Sequence, residues 1–223
     1  PATTREDFRR LIVDENLLGK RTASNRLRAD RYLSQLYGLD PTTPVYRIFR
    51  RFWDADPPAR PLLAALVACA RDPLFRCAAP AILAMAPGEP FSNEQLHAAL
   101  ANVSSSFSST TVRSTGQNLA SSFTQSGHLK GKVHKIRTRA HATPTTAAFA
   151  AALGWMQGAR GLFLLSSPWA QLLDRNSAEV LDLLLAAGRS GWLDIRSAAG
   201  VVEVRMDRLL TPSEQELCHG QSD

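Results

Sequence analysis

Seven basic residues lie in a central stretch of the chain that contains no acidic residue. The stretch runs from residue 95 to residue 173, between Glu94 and Asp174, and has a formal charge of +7. The whole chain has 26 Lys and Arg and 20 Asp and Glu, so the part outside this stretch is close to neutral. A stretch of this length that contains basic but no acidic residues predicts a polyanionic partner. The seven residues are Arg113, Lys130, Lys132, Lys135, Arg137, Arg139 and Arg160.

Part of this stretch, Ser109 to Gln125, is predicted to form a helix with an outer face suited to DNA. Val112, Leu119 and Phe123 have the spacing of a buried helix face. Arg, Gln and Asn on the opposite face can make paired bonds to base edges, and Ser or Thr at the helix N-terminus can meet phosphate. A merely solvated face, or one that docks protein, is the alternative. The candidate DNA-binding residues of this helix are Ser109, Thr110, Thr111, Arg113, Ser114, Gln117, Asn118 and Ser121.

After Gly127 the chain becomes strongly basic and suits a β-strand. Neighbouring residues of a strand point to opposite faces, so Lys135, Arg137 and Arg139 should share one face and grip a DNA backbone. A solvated hairpin is the other interpretation, but such hairpins usually include Asp or Glu, and none is present. The candidate phosphate-binding residues here are Lys130, Lys132, Lys135, Arg137 and Arg139.

Catalytic chemistry has little support in the sequence. Asp194 and Glu203-x-Arg205 are spaced loosely like a nuclease motif, but a salt-bridged surface hairpin explains them better. No Walker-type phosphate loop and no G-x-S-x-G motif occurs. The His residues are scattered, and three Cys without a C-x-x-C pair indicate reduced thiols. We therefore expect no enzyme activity, no catalytic residue, no metal site and no cofactor.

The elements that must position these residues are mainly helical. Proline-punctuated amphipathic helices are predicted at Thr4–Val13, Thr22–Leu39 and around Val45–Trp53, with Leu62–Ala70 and Leu74–Met85 as the buried centre. The N-terminal arginines are expected to pair with nearby aspartates on these helix surfaces. Glycines, a proline and polar residues interrupt the apolar segment 147–173, which favours a buried helical pair over a membrane span. No signal peptide is recognisable at the start, so we expect a cytoplasmic protein without membrane contact.

Composition shifts divide the chain into four parts. We predict a helical N-terminal domain at 1–88 and a winged helix-turn-helix at 89–143. Residues 144–211 should form a helical segment followed by a C-terminal helix and a β-hairpin around Ala199-Gly200, with a frayed tail at 212–223. The fold class is thus mainly α with small β wings.

The order of helix, Ser-rich turn, helix, Gly-x-Leu and basic strand resembles the winged helix-turn-helix superfamily. The resemblance covers about residues 90–142 and includes the run from Thr110 through Gly127-His128-Leu129. The whole layout resembles, by architecture and length, the BrxA-type proteins of bacterial BREX phage-defence systems. That resemblance implies a non-enzymatic cytoplasmic protein that binds double-stranded DNA beside larger defence subunits.

Three other functions stay open at this stage. The winged modules could dock larger protein partners as an assembly or scaffold protein, or the chain could regulate transcription. A nuclease that uses Asp194 and Glu203 is the weakest of the three.

Overall fold

A computed structural model describes residues 4–101, 108–198 and 200–219, and its fold is mainly helical with two small antiparallel sheets. The helices of this part of the chain are α1 (Arg5–Arg9), α2 (Ala23–Tyr37), α3 (Pro44–Ala55), α4 (Arg60–Arg71), α5 (Pro73–Leu83), α6 (Asn93–Ala101), α7 (Ser109–Gln125), α8 (Pro144–Met156), α9 (Phe163–Ser166), α10 (Pro168–Gln171), α11 (Ser177–Arg189) and α12 (Pro212–His219). The strands are β1 (Pro90–Phe91), β2 (Leu129–Lys130), β3 (Lys135–Arg137), β4 (Asp194–Ala198) and β5 (Val201–Arg205).

Helix α8 lies at the centre of the molecule and is apolar on all sides. Its sequence is rich in alanine, so neighbouring helices can approach it closely, and it contacts α3, α4, α10 and α11. The Phe149 ring lies 6.3 Å from the Phe52 ring of α3. One continuous hydrophobic core, from Tyr46 to Leu210, therefore joins the N-terminal helices to the C-terminal part. None of the described helices is both long enough and apolar enough to cross a bilayer.

The central part of the chain is built on α5, α6 and α7 and on the first sheet. Helix α6 packs against both α5 and α7. The three strands are arranged in the order β1-β3-β2, with Pro90 opposite Ile136 and Leu129 opposite Arg137. Gly131 turns the chain between β2 and β3 at a φ of +117°, where a Cβ would lie 2.1 Å from the His134 carbonyl oxygen. The predicted basic strand is therefore two short strands joined by a glycine-dependent turn.

The C-terminal part confirms the predicted helix and hairpin. Asn176 and Glu179 form a capping box at the start of α11, and β4 pairs with β5 from Asp194↔Arg205 to Ala198↔Val201. The turn position Ala199 lies outside the described residues.

The prediction of a frayed tail is wrong for residues 212–219; residues 220–223 lie outside the described part of the chain. The chain forms α12 there, and the backbone N–H of Glu214 donates to the Thr211 hydroxyl while the Glu214 carboxylate accepts from the Thr211 N–H. The same carboxylate accepts a 2.6 Å salt bridge from Arg47 of α3. This contact spans more than 160 residues, so local sequence polarity did not reveal it.

Candidate nucleic-acid interface

Helix α7 has the predicted bounds and the predicted division into two faces. Leu119, Ala120 and Phe123 are buried, and the Phe123 ring lies 4.6 Å from the Phe75 ring of α5. Gly116 permits close contact with α6, because a Cβ there would lie 2.9 Å from the His97 ring. The inner face thus anchors α7 to the two preceding helices.

The outer face of α7 presents all the predicted candidate residues to solvent. The side chain of Ser108 caps the helix by accepting from the Thr111 N–H at 3.2 Å. Ser114 and Ser122 donate back to carbonyls of the helix and remain compact, so they leave the face unobstructed. The exposed candidates are Ser109, Thr110, Thr111, Arg113, Ser114, Gln117, Asn118 and Ser121.

The hairpin formed by β2, β3 and their turn, residues 129–137, is named here the basic hairpin. Lys130 and Lys132 are exposed on it. Lys135 is half-buried, and its ammonium donates to the Thr124 hydroxyl at 2.9 Å and to the Gly131 carbonyl at 3.1 Å. Because Thr124 belongs to α7, Lys135 braces the hairpin against that helix.

The prediction that Arg137 contacts phosphate is wrong. Its side chain is only 1% exposed and donates to the carbonyls of Ile82, at 2.9 Å, and of His128 and Thr138. It also forms a 2.7 Å salt bridge with Asp174. Strand alternation did place Lys135 and Arg137 on one face, but that face points toward the protein interior.

Arg139 and Arg160 are the two central cations that follow the basic hairpin in the chain. Arg139 follows β3, is exposed, and lines another cleft together with Asp174, Arg175 and Glu179. Its predicted place on one binding face with Lys135 stays a prediction. The Arg160 guanidinium lies 3.8 Å above the Trp155 ring, and burial lowers its pKa. Of the seven central cations, Arg113 belongs to α7, Lys135 contacts α7 through Thr124, and Lys130 belongs to β2, which packs against α7.

Below the basic hairpin, His128 is buried and neutral. One ring nitrogen lies 2.9 Å from the Leu172 carbonyl and must donate to it, while the other lies 2.7 Å from the Ser126 hydroxyl. Burial lowers the His128 pKa to about 4. This histidine therefore connects the end of α7 to the chain after α10 and adds no charge to the surface.

A cleft of about 740 Å³ runs along the other side of α7. Its walls are α2, with Tyr32 and Gln35, and α7, with Asn118 and Ser122, and small residues of α4 form the floor. Sequence reasoning did not connect α2 with α7, because 71 residues, 38–108, separate them. The signal available in the sequence was a set of polar residues on one side of α2, Arg28, Arg31 and Gln35, all of which are exposed.

The weak nuclease motif consists of surface ion pairs. Asp194 accepts from Arg208 at 2.9 Å, and Arg205 pairs with Asp207 at 2.7 Å, as the salt-bridged hairpin interpretation predicted. Glu203 lies opposite Arg196 across the strands. Within the described residues, no group of three or more His, Cys, Asp and Glu side chains is placed to hold a metal ion.

Comparison of the chain with protein-family models, with curated proteins and with solved structures finds no significant match in any of the three. The functional argument therefore rests on the residues and their geometry.

Proposed function

We propose that this chain is a non-enzymatic protein that binds double-stranded DNA, with α7 in the major groove and the basic hairpin on the backbone. The observation that carries the proposal is the outer face of α7, where eight polar, exposed side chains stand together without a carboxylate. Lys130 and Lys132 extend the positive potential beyond the end of the helix. Such a face offers paired donors to base edges and a favourable field for phosphates.

The architecture that best supports this role is a winged helix-turn-helix. In this proposal α5, α6 and α7 are its three helices and the β1-β3-β2 sheet is its wing, so the unit would begin near Pro73. Helix α11 with the β4–β5 hairpin would be a second, reduced winged module without a reading helix. The helices before α5 would form the N-terminal domain.

Each side chain would have a distinct task in the complex. Arg113, Gln117 and Asn118 would meet base edges, because Arg113 lies about one helical turn before the other two and all three are exposed on α7. The exposed Ser and Thr at the start of α7 would bind phosphate through hydroxyls and N–H groups. Lys135 would act indirectly, since its bond to Thr124 fixes the hairpin beside α7.

A salt-dependent titration of labelled duplex DNA tests the proposal. Each phosphate contact contributes about 0.9 to the slope of log affinity against log salt concentration. Replacing Lys130 and Lys132 together with Gln should reduce that slope by about 1.8. The matched control is Arg189→Gln with Arg196→Gln, which removes two exposed charges from α11 and β4 and should leave the slope unchanged. Absence of binding at low salt would refute the proposal.

Base reading is tested separately with a randomised duplex library. Gln117→Ala should change the selected sequence while the salt slope stays the same, because an amide contacts bases and releases no counterion. An unchanged selection would indicate binding through the backbone alone.

A second candidate function is a scaffold that docks larger proteins. One observation favours it: Phe163 is 77% exposed and Val201 is 68% exposed. Phe163 begins α9, and the chain just before it is next to β5, since a Cβ on Gly161 would lie 3.3 Å from the Val202 carbonyl oxygen. Loss of function on Phe163→Ser, with DNA affinity unchanged, would favour this role.

For the biological role, we propose a component of a bacterial phage-defence system, with transcriptional regulation as the alternative. The charge pattern and the layout of helices and hairpins support a DNA-directed component in either case. Neighbouring genes for a methyltransferase and an ATPase, together with loss of phage resistance on deletion, would favour defence. Altered transcription of adjacent genes without a change in phage resistance would favour regulation.

A further inference from the structure

The side of α2 that borders the cleft carries an unusual group of exposed residues. Tyr32 and Gln35 line the cleft opposite α7. Arg28 precedes Tyr32 by four residues and Arg31 precedes Gln35 by four, so both arginines extend the same side of the helix toward its N-terminus. Arg28, Arg31, Tyr32 and Gln35 are named here the α2 strip.

The arginines of the α2 strip form no ion pair with any acidic residue that the structure describes. Asp30 is the one acidic residue within α2, and it is 5% exposed. Its carboxylate already accepts from Arg5 at 2.8 Å and lies 3.8 Å from Arg9. Among the described residues, no salt bridge includes Arg28 or Arg31, so the expected surface pairing with Asp30 is wrong for these two.

Tyr32 orients the α2 strip. This residue is 54% exposed, and the Arg31 guanidinium lies 5.2 Å from the centre of its ring. Stacking on an aromatic ring restricts an arginine side chain while it leaves the guanidinium donors available. The strip therefore presents two positive charges whose hydrogen-bonding capacity is unused within the described chain.

The opposite wall and the floor of the cleft complete the surface. Thr115, Asn118 and Ser122 of α7 line the wall, and Pro61 and Ala64 of α4 belong to the floor. The small floor residues allow an extended chain to approach closely between the two helices. Arg71 and Asp72 also line the cleft, where Arg71 donates to the Gln35 carbonyl and Asp72 accepts from the Leu74 N–H. Asn118 belongs both to this wall and to the outer face of α7, so the cleft adjoins the proposed base-reading surface.

We propose that the cleft holds the DNA strand that borders the major groove occupied by α7. Arg28 and Arg31 bind phosphates of this strand from the α2 side, and the hydroxyls of Thr115 and Ser122 bind from the α7 side. The sugars lie over Pro61 and Ala64. This inference rests on the proposed function and adds a second line of backbone contacts that is separate from the basic hairpin.

The experiment compares three double variants by titration of labelled duplex across salt concentrations. Arg28→Gln with Arg31→Gln tests the α2 strip, Lys130→Gln with Lys132→Gln tests the hairpin, and Arg189→Gln with Arg196→Gln is the control. Glutamine retains helix propensity close to that of arginine, so α2 should stay folded, which circular dichroism checks. We expect the α2 variant to lose about 1.8 from the salt slope and on the order of 10- to 100-fold in affinity at 0.1 M salt.

Phosphate ethylation interference locates the contact. In the unmodified protein, we expect sensitive phosphates in two groups, and the α2 variant should lose only one of them. The variant Tyr32→Ala, which removes the ring beside Arg31, should weaken the same group without abolishing it.

The outcomes separate this inference from the proposed function. Absence of binding by the unmodified protein overturns both. Binding that depends on the hairpin, but keeps its affinity, slope and interference pattern in the α2 variant, overturns the α2 inference alone. Binding of polyglutamate as tight as that of duplex DNA, with both reduced equally in the α2 variant, also overturns it, because a general positive patch would behave in that way.

Discussion

Replacing Arg137 with Met tests the most consequential placement in the structure, since the sequence suggested a DNA contact and the fold buries the side chain. Methionine fills a similar volume without any donor. Two of the three carbonyls that lose a bond from Arg137 keep another partner: Ile82 still accepts from the Met85 N–H, and His128 still accepts from the Thr138 N–H. The third is the Thr138 carbonyl of the next residue. The main loss is therefore the partner of the Asp174 carboxylate.

The expected cost follows from that remaining carboxylate. Breaking a buried ion pair by removing one partner costs about 3–5 kcal/mol. The Asp174 side chain is 13% exposed and can gain some water, so we expect the lower end, about 3 kcal/mol. With a urea m-value of ~2 kcal/mol/M, the unfolding midpoint should fall by about 1.5 M.

The assay is urea unfolding followed by circular dichroism, with DNA titration of the folded variant in parallel. Arg139→Met is the matched control, because the same substitution two residues later removes an exposed side chain and should change stability by less than about 0.5 kcal/mol. Asp174→Asn adds a second test, since asparagine tolerates the positive φ of 58° at this position and removes only the charge. An Arg137→Met protein with the original midpoint and weakened DNA binding would refute the buried, structural role.

Three further predictions concern other contacts. His128 has a pKa of about 4 in the fold and about 6.5 when unfolded, so the unfolded chain binds more protons between these pH values. The free energy of unfolding should therefore fall by about 3 kcal/mol as the pH drops from 6.5 to 4. His128→Gln should flatten this pH dependence, which urea unfolding at a series of pH values measures. Gly116→Val should lower the free energy of unfolding by about 1–3 kcal/mol because its side chain meets His97, and adding His97→Ala should restore part of the loss in the same assay. Burial opposes ionisation of Glu214, but hydrogen bonds from Thr211 and Arg47 outweigh burial and lower the Glu214 pKa. Glu214→Gln should lower the free energy of unfolding by about 0.5–1 kcal/mol and speed amide hydrogen exchange in α12. Unchanged exchange would argue against this contact as the anchor of α12.

Most of the helices could be predicted from the sequence because their signals are short-range. Apolar spacing and the cap at Ser108 lie within α7 or next to it, and the Asn176–Glu179 capping box starts α11. The two faces of α7 follow from the same spacing. Its exposed candidate residues were therefore predictable, whereas their function stays a proposal.

The burial and the bonding partners of the charged side chains could not be predicted in the same way. Arg137 pairs with Asp174, 37 residues away in the chain, and Lys135 donates a hydrogen bond to Thr124 across a turn. A strand pattern predicts which residues share a face, but it does not say whether that face meets solvent or core. The same limit applies to residues 212–219, which look like a tail until Arg47 of α3 is placed beside Glu214.

The sequence by itself determined the helical class, the positions of most elements and a central stretch without acids. Only the tertiary structure decided that Arg137 belongs to the interior and that α2 faces α7 across a cleft. The physical reason is range: caps and periodicity act within a few residues, whereas burial and ion pairing depend on which distant segments the core brings together.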